Sequence, residues 1–181
     1  HQWLWEFRYP ELNIVTANEL HIPVGRPISL SMESADVIHS FWAPQLGGKR
    51  DVFPKRVTHL SFTANQPGIY LGQCAEFCGI SHANMRLRVI VQSPEEFQAW
   101  VRARQAPIAP ATELARKGAG LFLSPQAGCA ACHTIDGTQA KGLVGPNLSL
   151  MGRRTTVAAG MLDNTPENLA MWLRDPQAVK P

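Results

Sequence analysis

The sequence contains no uncharged apolar run that approaches the roughly 18 to 20 residues of a membrane-spanning helix. It also has little excess of charge, because 17 Lys and Arg oppose 14 Asp and Glu for a formal net charge of +3. That balance excludes the strongly basic surface of a nucleic-acid-binding protein. With 45% hydrophobic and 17% charged residues, the composition is that of a globular protein, and 181 residues allow one large domain or two small ones.

Cysteine is scarce, and its placement is informative. The four cysteines form two close pairs, Cys74 with Cys78 and Cys129 with Cys132, and a histidine follows each pair. A disulfide within either pair would close a loop of only a few residues, which gives little chain-entropy stabilisation. Binding of a metal or a cofactor therefore explains the clustering better than two disulfides do.

The second pair is part of the motif Cys129-Ala-Ala-Cys132-His133. This C-x-x-C-H spacing is the attachment signature of c-type haem, in which two thiols bond to the porphyrin and the adjacent imidazole is the proximal iron ligand. A thioredoxin-like redox pair or half of a zinc site would also use C-x-x-C, but no second C-x-x-C is present to complete a zinc ribbon. The motif therefore predicts a covalently bound haem c.

Helices are predicted on both sides of this motif. One is predicted over residues 112–123 with Thr112 as its N-cap, and another over residues 166–174. The apolar positions of the first helix are Leu114, Leu121 and Phe122. The region resembles c-type cytochromes, in which the proline of a G-P-N-L segment directs its carbonyl to the other ring nitrogen of the proximal histidine. The resemblance implies that Pro146 orients His133.

The first pair belongs to a longer motif, C-x-E-x-C-G-x-x-H-x-x-M, which runs from Cys74 to Met85 and has His39 thirty-five residues upstream of its first cysteine. Thiolates, imidazoles and a thioether suit copper, whereas calcium and magnesium prefer oxygen ligands. A single blue-copper ion needs only one cysteine. Two thiolates separated by three residues can instead bridge two copper ions.

One histidine and one weak ligand then complete each copper ion. His39 and Met85 are assigned to one ion, and His82 and the backbone carbonyl of Glu76 to the other. A dinuclear centre spreads one electron over two metals, and this favours fast one-electron transfer. A zinc site built from the two thiols, His82 and another histidine is the alternative, but it leaves Met85, Glu76 and His39 without a role.

Two further histidines, His21 and His59, are interpreted as ordinary surface residues. His59 lies in an alternating segment in which Leu60 and Phe62 face the core, so its own side chain faces the other way.

Residues 1–104 resemble the extramembrane copper domain of subunit II of cytochrome c oxidases. Three motifs carry the resemblance: the aromatic start His1-Gln-Trp3-Leu-Trp5, the segment 37–51, and the loop from Cys74 to Met85. With the haem motif, they resemble the caa3-type form, in which a cytochrome c is fused to subunit II. The ligands are also similar to those of nitrous oxide reductase, which has an aromatic residue in place of Glu76.

The resemblance implies a dinuclear CuA centre and two uses for Glu76. Its carbonyl binds copper, and its carboxylate faces a magnesium site at the interface with subunit I. The resemblance also implies that Trp3 is the residue through which electrons enter. One departure is Lys55, which stands where many relatives have glycine. We expect a local change of the turn there and no loss of copper.

The implied function is that of the electron-accepting subunit of a respiratory haem-copper oxidase. Electrons from a cytochrome c-like donor pass through haem c to CuA and on to subunit I, where another chain reduces oxygen. The implied location is the outer, periplasmic face of the bacterial cytoplasmic membrane, with membrane helices preceding His1 and other membrane subunits as partners. The alternatives are a nitric oxide reductase subunit with a similar copper domain, a free periplasmic electron shuttle and a copper-delivery protein.

The predicted fold is mainly β with added helices. A cupredoxin-like β-sandwich is expected over residues 1–104, a linker over 105–111 and a small all-α cytochrome c domain over 112–181. Five alternating or β-branched runs support the sandwich, namely residues 13–16, 27–32, 57–63, 69–72 and 87–91. A short amphipathic helix over residues 94–104 follows them. The copper loop then lies between the last two strands.

The axial haem ligand opposite His133 is expected to be a Met sulfur. Three methionines follow the haem motif, and each is better explained by packing: Met151, Met161 and Met171. Residues 172–181 resemble the run that precedes the axial Met in cytochrome-fused oxidase subunits. We therefore expect the ligand to lie beyond residue 181, which would leave the cytochrome region of this chain incomplete.

Overall fold

The strands of the N-terminal region follow from sequences that bury alternate side chains. The computed structural model describes residues 1–106 and 109–180. The strands of residues 1–104 are β1 (Glu6–Tyr9), β2 (Ile14–Ala17), β3 (Glu19–Pro23), β4 (Pro27–Met32), β5 (His39–Trp42), β6 (Arg50–Val52), β7 (Thr58–Thr63), β8 (Gly68–Cys74) and β9 (Arg86–Gln92).

Five of these strands form a mixed sheet in the order β3-β9-β8-β5-β6. Strand β3 runs parallel to β9, whereas the other neighbours are antiparallel. Strands β1 and β2 form a separate antiparallel pair, as do β4 and β7. Apolar side chains of β4 and β7, such as Leu30 and Leu60, pack against the core that the larger sheet also faces. The predicted β-sandwich is thus confirmed for this region.

The core lies between these layers. Strand β9 contributes Leu87, Val89 and Val91, each 3% exposed or less. Phe41 of β5 and Ile22 of β3 join them from neighbouring strands. Burial of each such side chain stabilises the fold by roughly 1.5–3 kcal/mol. The two cysteines of the first pair, Cys74 and Cys78, and Met85 belong to the same buried cluster, so the candidate metal site is continuous with the core.

Helix α1 (Pro94–Gln105) closes the N-terminal region. Ser93 caps it, because its side chain accepts a hydrogen bond from Glu96 N while the Glu96 carboxylate accepts one from Ser93 N. Trp100 of this helix stacks on His21 of β3 with 4.4 Å between ring centroids. The interpretation of His21 as a surface residue is therefore wrong, since the residue is only 8% exposed. His59 is exposed, as predicted.

The C-terminal region is described from residue 109 to residue 180. Its elements are α2 (Glu113–Leu123), α3 (Cys129–Cys132), β10 (Thr156–Val157), β11 (Leu162–Asp163), α4 (Pro166–Arg174) and α5 (Pro176–Val179). Thr112 caps α2 as predicted, accepting a hydrogen bond from Ala115 N at 3.1 Å. The antiparallel pair β10–β11 differs from the all-α prediction.

The predicted linker over residues 105–111 is described only in part. Gln105 is the last residue of α1, and residues 107 and 108 lie outside the described residues, as does Pro181 at the end of the predicted cytochrome region. Among the described helices, none is long and apolar enough to cross a membrane.

Candidate functional site

Two strands and one loop position the first group of cysteines and histidines. Cys74 ends β8, and Met85 immediately precedes β9. The antiparallel pairing of these strands holds the ends of the intervening loop together, and Cys74 N donates to Met85 O at 2.9 Å. His39 begins β5, whose residue Phe41 pairs with Cys74. The loop between the last two strands and the upstream histidine therefore meet, as the predicted topology required.

The structure brings together the side chains that were predicted to bind copper. The Sγ atoms of Cys74 and Cys78 lie 3.8 Å apart. His39 Nδ1 lies 3.9 Å from Cys74 Sγ, and His82 Nδ1 lies 3.6 Å from Cys78 Sγ. Met85 Sδ lies 3.9 Å from Cys78 Sγ. Each thiol thus has one imidazole beside it.

Most of this cluster is shielded from water. The exposed fractions are 1% for His39, 3% for Cys74, 4% for Cys78 and 0% for Met85. His82 is half-buried. The side chain of Glu76 is exposed, but its backbone oxygen lies 3.2 Å from Cys74 Sγ. Two thiols, two imidazoles, a thioether and a carbonyl in one buried group are a donor set that suits copper.

The two thiols differ in acidity. Burial raises the pKa of Cys74, but hydrogen bonds with His39 and with the backbone at Ser40 and Glu76 outweigh it and lower this pKa to about 6. Burial and the adjacent Cys74 raise the pKa of Cys78 to about 12. The hydrogen bonds around Cys74 therefore favour its thiolate form.

Asp36 is a residue of this site that the motif analysis missed. Its Oδ1 lies 2.7 Å from His39 Nε2, so the other ring nitrogen of His39 faces Cys74. Burial opposes ionisation of Asp36, but hydrogen bonds from His39 and from the backbone N–H groups of Gln2 and Val37 lower its pKa to about 2. A carboxylate in this position fixes the orientation of a metal-binding imidazole. The spacing D-x-x-H was the available sequence signal.

Trp3 lies directly against the Cys74–Met85 loop. Its indole Nε1 donates to Cys78 O at 3.0 Å, and Gln2 Nε2 donates to the same oxygen at 2.6 Å. Gly79 permits this contact, because a Cβ atom there would lie 3.0 Å from Trp3 Cζ2 and its φ is +115°. On the outer side of the loop, Phe77 and Ile80 are 77% and 80% exposed.

The second pair of cysteines lies on α3, where positions i and i+3 face the same side of one helical turn. His133 follows directly, and its Nδ1 lies 2.9 Å from Pro146 O. The predicted contact between the proline carbonyl and the histidine is confirmed. It leaves His133 Nε2 available to a metal.

Two glycines make the close packing around His133 possible. A Cβ atom on Gly145 would lie 2.3 Å from His133 Cε1, and one on Gly142 would lie 2.4 Å from the carbonyl carbon of Cys132. Real side chains do not tolerate such distances, so the segment 142–145 can approach the motif only with glycine at both positions.

Apolar side chains near this motif are exposed. Helix α2 packs against α3 yet buries none of its residues, and its predicted apolar positions Leu114 and Leu121 are 80% and 67% exposed. Leu143 and Val144, between the two glycines, are 86% and 82% exposed. An apolar surface beside two thiols and an imidazole fits a covalently attached haem.

The three methionines of this region do not share one environment. Met151 and Met161 are half-buried. Met171 is 43% exposed, so the prediction that it fills the core is wrong.

Comparison with known proteins gives both a family and a structural similarity. The family model described as cytochrome C oxidase subunit II, periplasmic domain, matches residues 13–93. The crystal structure of the periplasmic domain of subunit II of cytochrome oxidase from Bradyrhizobium japonicum is similar to this chain at 32% identity and a TM-score of 0.56. The similarity covers 57% of this chain and 87% of that chain.

Two curated relatives differ in how much of this chain they match. Cytochrome c oxidase subunit 2 of Alkalihalophilus pseudofirmus is 39% identical over 181 residues, which is 99% of this chain and 52% of that protein. Cytochrome c oxidase subunit 2 of Synechocystis sp. is 48% identical over 102 residues, which is 56% of this chain and 30% of that protein. The chain thus spans about half the length of the first of these relatives.

Proposed function

The chain belongs to the cytochrome c oxidase subunit II family, and on this premise we propose that it accepts electrons for a respiratory haem-copper oxidase. The observation that carries the proposal is the buried cluster in which His39, Cys74 and Cys78 each place a ligand atom within 4.8 Å of the others. The cupredoxin-like, mostly β fold of the N-terminal region supplies a rigid frame for this cluster. Oxygen reduction is assigned to another chain.

Six residues are proposed to hold dinuclear copper of the CuA type: His39, Cys74, Glu76 through its carbonyl, Cys78, His82 and Met85. Copper supplies a one-electron centre there when it is bound. The protein keeps the two thiols 3.8 Å apart and excludes water by burying them. Asp36 orients His39 from outside the ligand set. Since these side chains are already close together in the fold, little rearrangement is needed when the charge of the site changes.

The C-terminal region is proposed to bind haem c through Cys129, Cys132 and His133, which makes the chain a caa3-type subunit II. The contact between His133 and Pro146 and the exposed apolar side chains around the motif support this. The A. pseudofirmus relative aligns with 99% of the chain, whereas the Synechocystis relative aligns with only 56%. The proposed division is a copper domain over residues 1–104, a linker over 105–111 and a cytochrome region over 112–181.

The proposed electron route begins at a cytochrome c-like donor and leads through haem c and CuA to a haem of subunit I. Trp3 touches the carbonyl of Cys78 and is proposed as a residue through which electrons reach the copper site. The exposed carboxylate of Glu76 is proposed to face a magnesium site at the interface with subunit I. The proposed location is the periplasmic face of a bacterial membrane, in a complex with subunit I and other membrane subunits.

Optical spectroscopy tests this function. The protein is produced with haem-attachment machinery, loaded with copper and measured oxidised and after reduction with dithionite. We expect a haem c α-band and the near-infrared absorption of mixed-valence dinuclear copper. Cys78→Ser should abolish only the near-infrared band, and C129S/C132S should remove only covalently bound haem. Haem bands without the near-infrared band, in protein that retains copper, would contradict the proposal.

A further inference from the structure

A buried carboxylate of the copper domain, that of Glu19, accepts four hydrogen bonds from the C-terminal region and lies 3.9 Å from His21 Nε2 of its own strand. Glu19 is the first residue of β3, which is an edge strand of the five-stranded sheet, and it is only 1% exposed. A buried carboxylate without compensating hydrogen bonds would strongly destabilise the fold. The position of Glu19 at a sheet edge therefore requires that another part of the protein cover it.

Two consecutive residues of the C-terminal region donate hydrogen bonds to the carboxylate of Glu19. Its Oε1 accepts hydrogen bonds from Thr155 N at 2.8 Å and Thr155 Oγ1 at 2.6 Å. The same oxygen accepts from Thr156 N at 2.9 Å and Thr156 Oγ1 at 3.1 Å. Hydrogen bonds to an ionised acceptor are about twice as strong as neutral ones. Burial raises the pKa of Glu19, but His21 and the hydrogen bonds from Thr155 and Thr156 outweigh it and lower this pKa.

Arginines on both sides of Glu19 make further contacts between the two regions. Arg88 of β9 donates to Thr155 Oγ1 at 3.1 Å and to Asp163 Oδ1 at 3.3 Å. Arg104 of α1 donates to Val15 O within the copper domain and to Ser149 O in the C-terminal region. The contact thus extends across β3, β9 and α1.

The surface between the regions is also closely packed. Val157 and Ala159 are 2% and 7% exposed. A Cβ atom on Gly160, whose φ is +83°, would lie 3.2 Å from Cβ of Arg86. Packing of this density is typical of a protein interior and not of a transient contact.

Charge explains why an acid stands at this position. Arg104 and Arg154 are both desolvated near the contact, and burial lowers the pKa of each, to about 10 for Arg154. The negative charge of Glu19 raises the pKa of both guanidinium groups and so opposes the effect of burial. A neutral residue at position 19 would remove this compensation from the buried Arg154 and from the half-buried Arg104, whose charge Asp136 also compensates.

We propose that Glu19 is a positioning residue that holds the C-terminal region, with its C-x-x-C-H motif, in one fixed placement against the copper domain. The proposal rests on the proposed function, because it assigns this contact to electron transfer between the two sites. With the contact formed, the electron crosses within a single rigid unit, and the transfer does not wait for a tethered domain to find its position. A second contact agrees with this, since Lys180 donates to the backbone oxygen of Trp3.

The first experiment measures the contact itself in the holoprotein, by methods that need no signal from copper or haem. Glu19→Ala, Glu19→Gln and T155V/T156V are compared with the wild type by amide hydrogen exchange and small-angle X-ray scattering on the whole protein. The double variant removes two hydroxyl donors and leaves the copper domain intact, so it tests the contact even when Glu19→Ala folds poorly. We expect protection of the Thr155 and Thr156 amides to fall by at least about 10-fold in Glu19→Ala, less in Glu19→Gln, with a larger radius of gyration. The control is Glu33→Gln, which removes an exposed carboxylate of the same domain.

The second experiment measures electron transfer in the holoprotein. The haem is reduced photochemically, and its reoxidation by copper is followed at the α-band in buffers of increasing viscosity. In the wild type and Glu33→Gln the rate should not depend on viscosity. In the Glu19 and threonine variants we expect a rate lowered about 10-fold or more that depends on viscosity.

The outcomes separate the two proposals. Unchanged amide protection in Glu19→Ala and T155V/T156V would overturn the fixed placement. Lost protection with an unchanged, viscosity-independent rate would overturn the assignment of the contact to electron transfer. A wild type that binds no haem or shows no dinuclear copper band would contradict the proposed function, and it would do so before any variant is compared.

Discussion

At the scale of single residues, the orientation of the candidate copper site depends on a side chain outside the ligand set. Asp36 accepts from His39 Nε2 at 2.7 Å and from two backbone N–H groups. These donors keep the carboxylate ionised, and the carboxylate in turn directs Nδ1 of His39 towards Cys74. The imidazole is thereby held ready for a metal before any metal binds.

Replacing Asp36 therefore weakens copper binding and leaves the ligand set complete. Asp36→Asn should lower copper affinity by about 10- to 100-fold, the effect typical of losing a partner of a metal-binding histidine. Titration against a competing chelator, followed at the near-infrared band, measures this. Asp51→Asn removes an exposed carboxylate and serves as the control. Equal affinity of Asp36→Asn and the wild type would show that His39 needs no such support.

The glycine beside His133, the histidine proposed to bind haem iron, offers a second test at this scale. In Gly145→Ala, the new methyl group would meet His133 Cε1 at 2.3 Å, so the ring must move away from Pro146 O. We expect covalent haem to remain, because both thiols are untouched, with a changed axial ligation that is visible in the Soret and α-bands. The control is Gly120→Ala on α2, where a Cβ atom meets nothing within 4 Å. Identical spectra for both variants would contradict the assigned role of Gly145.

At the scale of elements, the turn between β6 and β7 carries local strain. Lys55 follows Pro54 and adopts a φ of 59°, in the left-handed region that glycine occupies without steric cost. The lysine thus adopts a backbone conformation that favours glycine, the residue that many relatives have at this position.

Lys55→Gly should therefore stabilise the protein by about 1 kcal/mol, since the clash of Cβ with the backbone is removed. Urea unfolding followed by tryptophan fluorescence measures the free energy of unfolding. Lys49→Gly, in a neighbouring loop, is the matched control and should be neutral or destabilising, because Lys49 has no positive φ. Stabilisation of equal size in both variants would exclude relief of strain as its cause.

The elements with a clear sequence periodicity were predicted close to their observed bounds. Strand β4 and helix α4 begin and end at the predicted residues, and β2, β7, β8 and β9 do so within two residues. Strands β1, β3, β5 and β6 were not among the five predicted runs, because they are only three to five residues long and too short to show a clear period. Hydrogen bonding to neighbours in the sheet, and not local preference, makes them strands.

At the scale of the whole molecule, the contact between the two regions should depend on pH through Glu19. The pKa of Glu19 is lowered in the folded protein, so the stabilisation is present above the ordinary pKa of a glutamate and is lost as the pH falls through the lowered value. The charged or titratable groups near Glu19 are His21, Arg88, Arg104 and Arg154.

Scattering and amide exchange between about pH 7 and about pH 3 should therefore show the two regions separating only in acid. Glu19→Gln is the control for this experiment, because it has no carboxylate to titrate and should give a weaker contact with no such transition. An acid transition of the same midpoint in Glu19→Gln would mean that another group controls the contact.

The sequence by itself determined the ligand types of both candidate sites and the order of the main elements. Ligand types and spacing, such as C-x-x-C-H and the Cys74–Met85 loop, are local properties, and the mixture of thiol, imidazole and thioether limits the metal. Only the tertiary structure decided what distant residues do. It buried His21 under Trp100, placed Asp36 behind His39 and joined Glu19 to Thr155 and Thr156, 136 and 137 residues away. Such contacts carry no periodic sequence signal, because they depend on how whole layers pack and on which buried charge must find a partner.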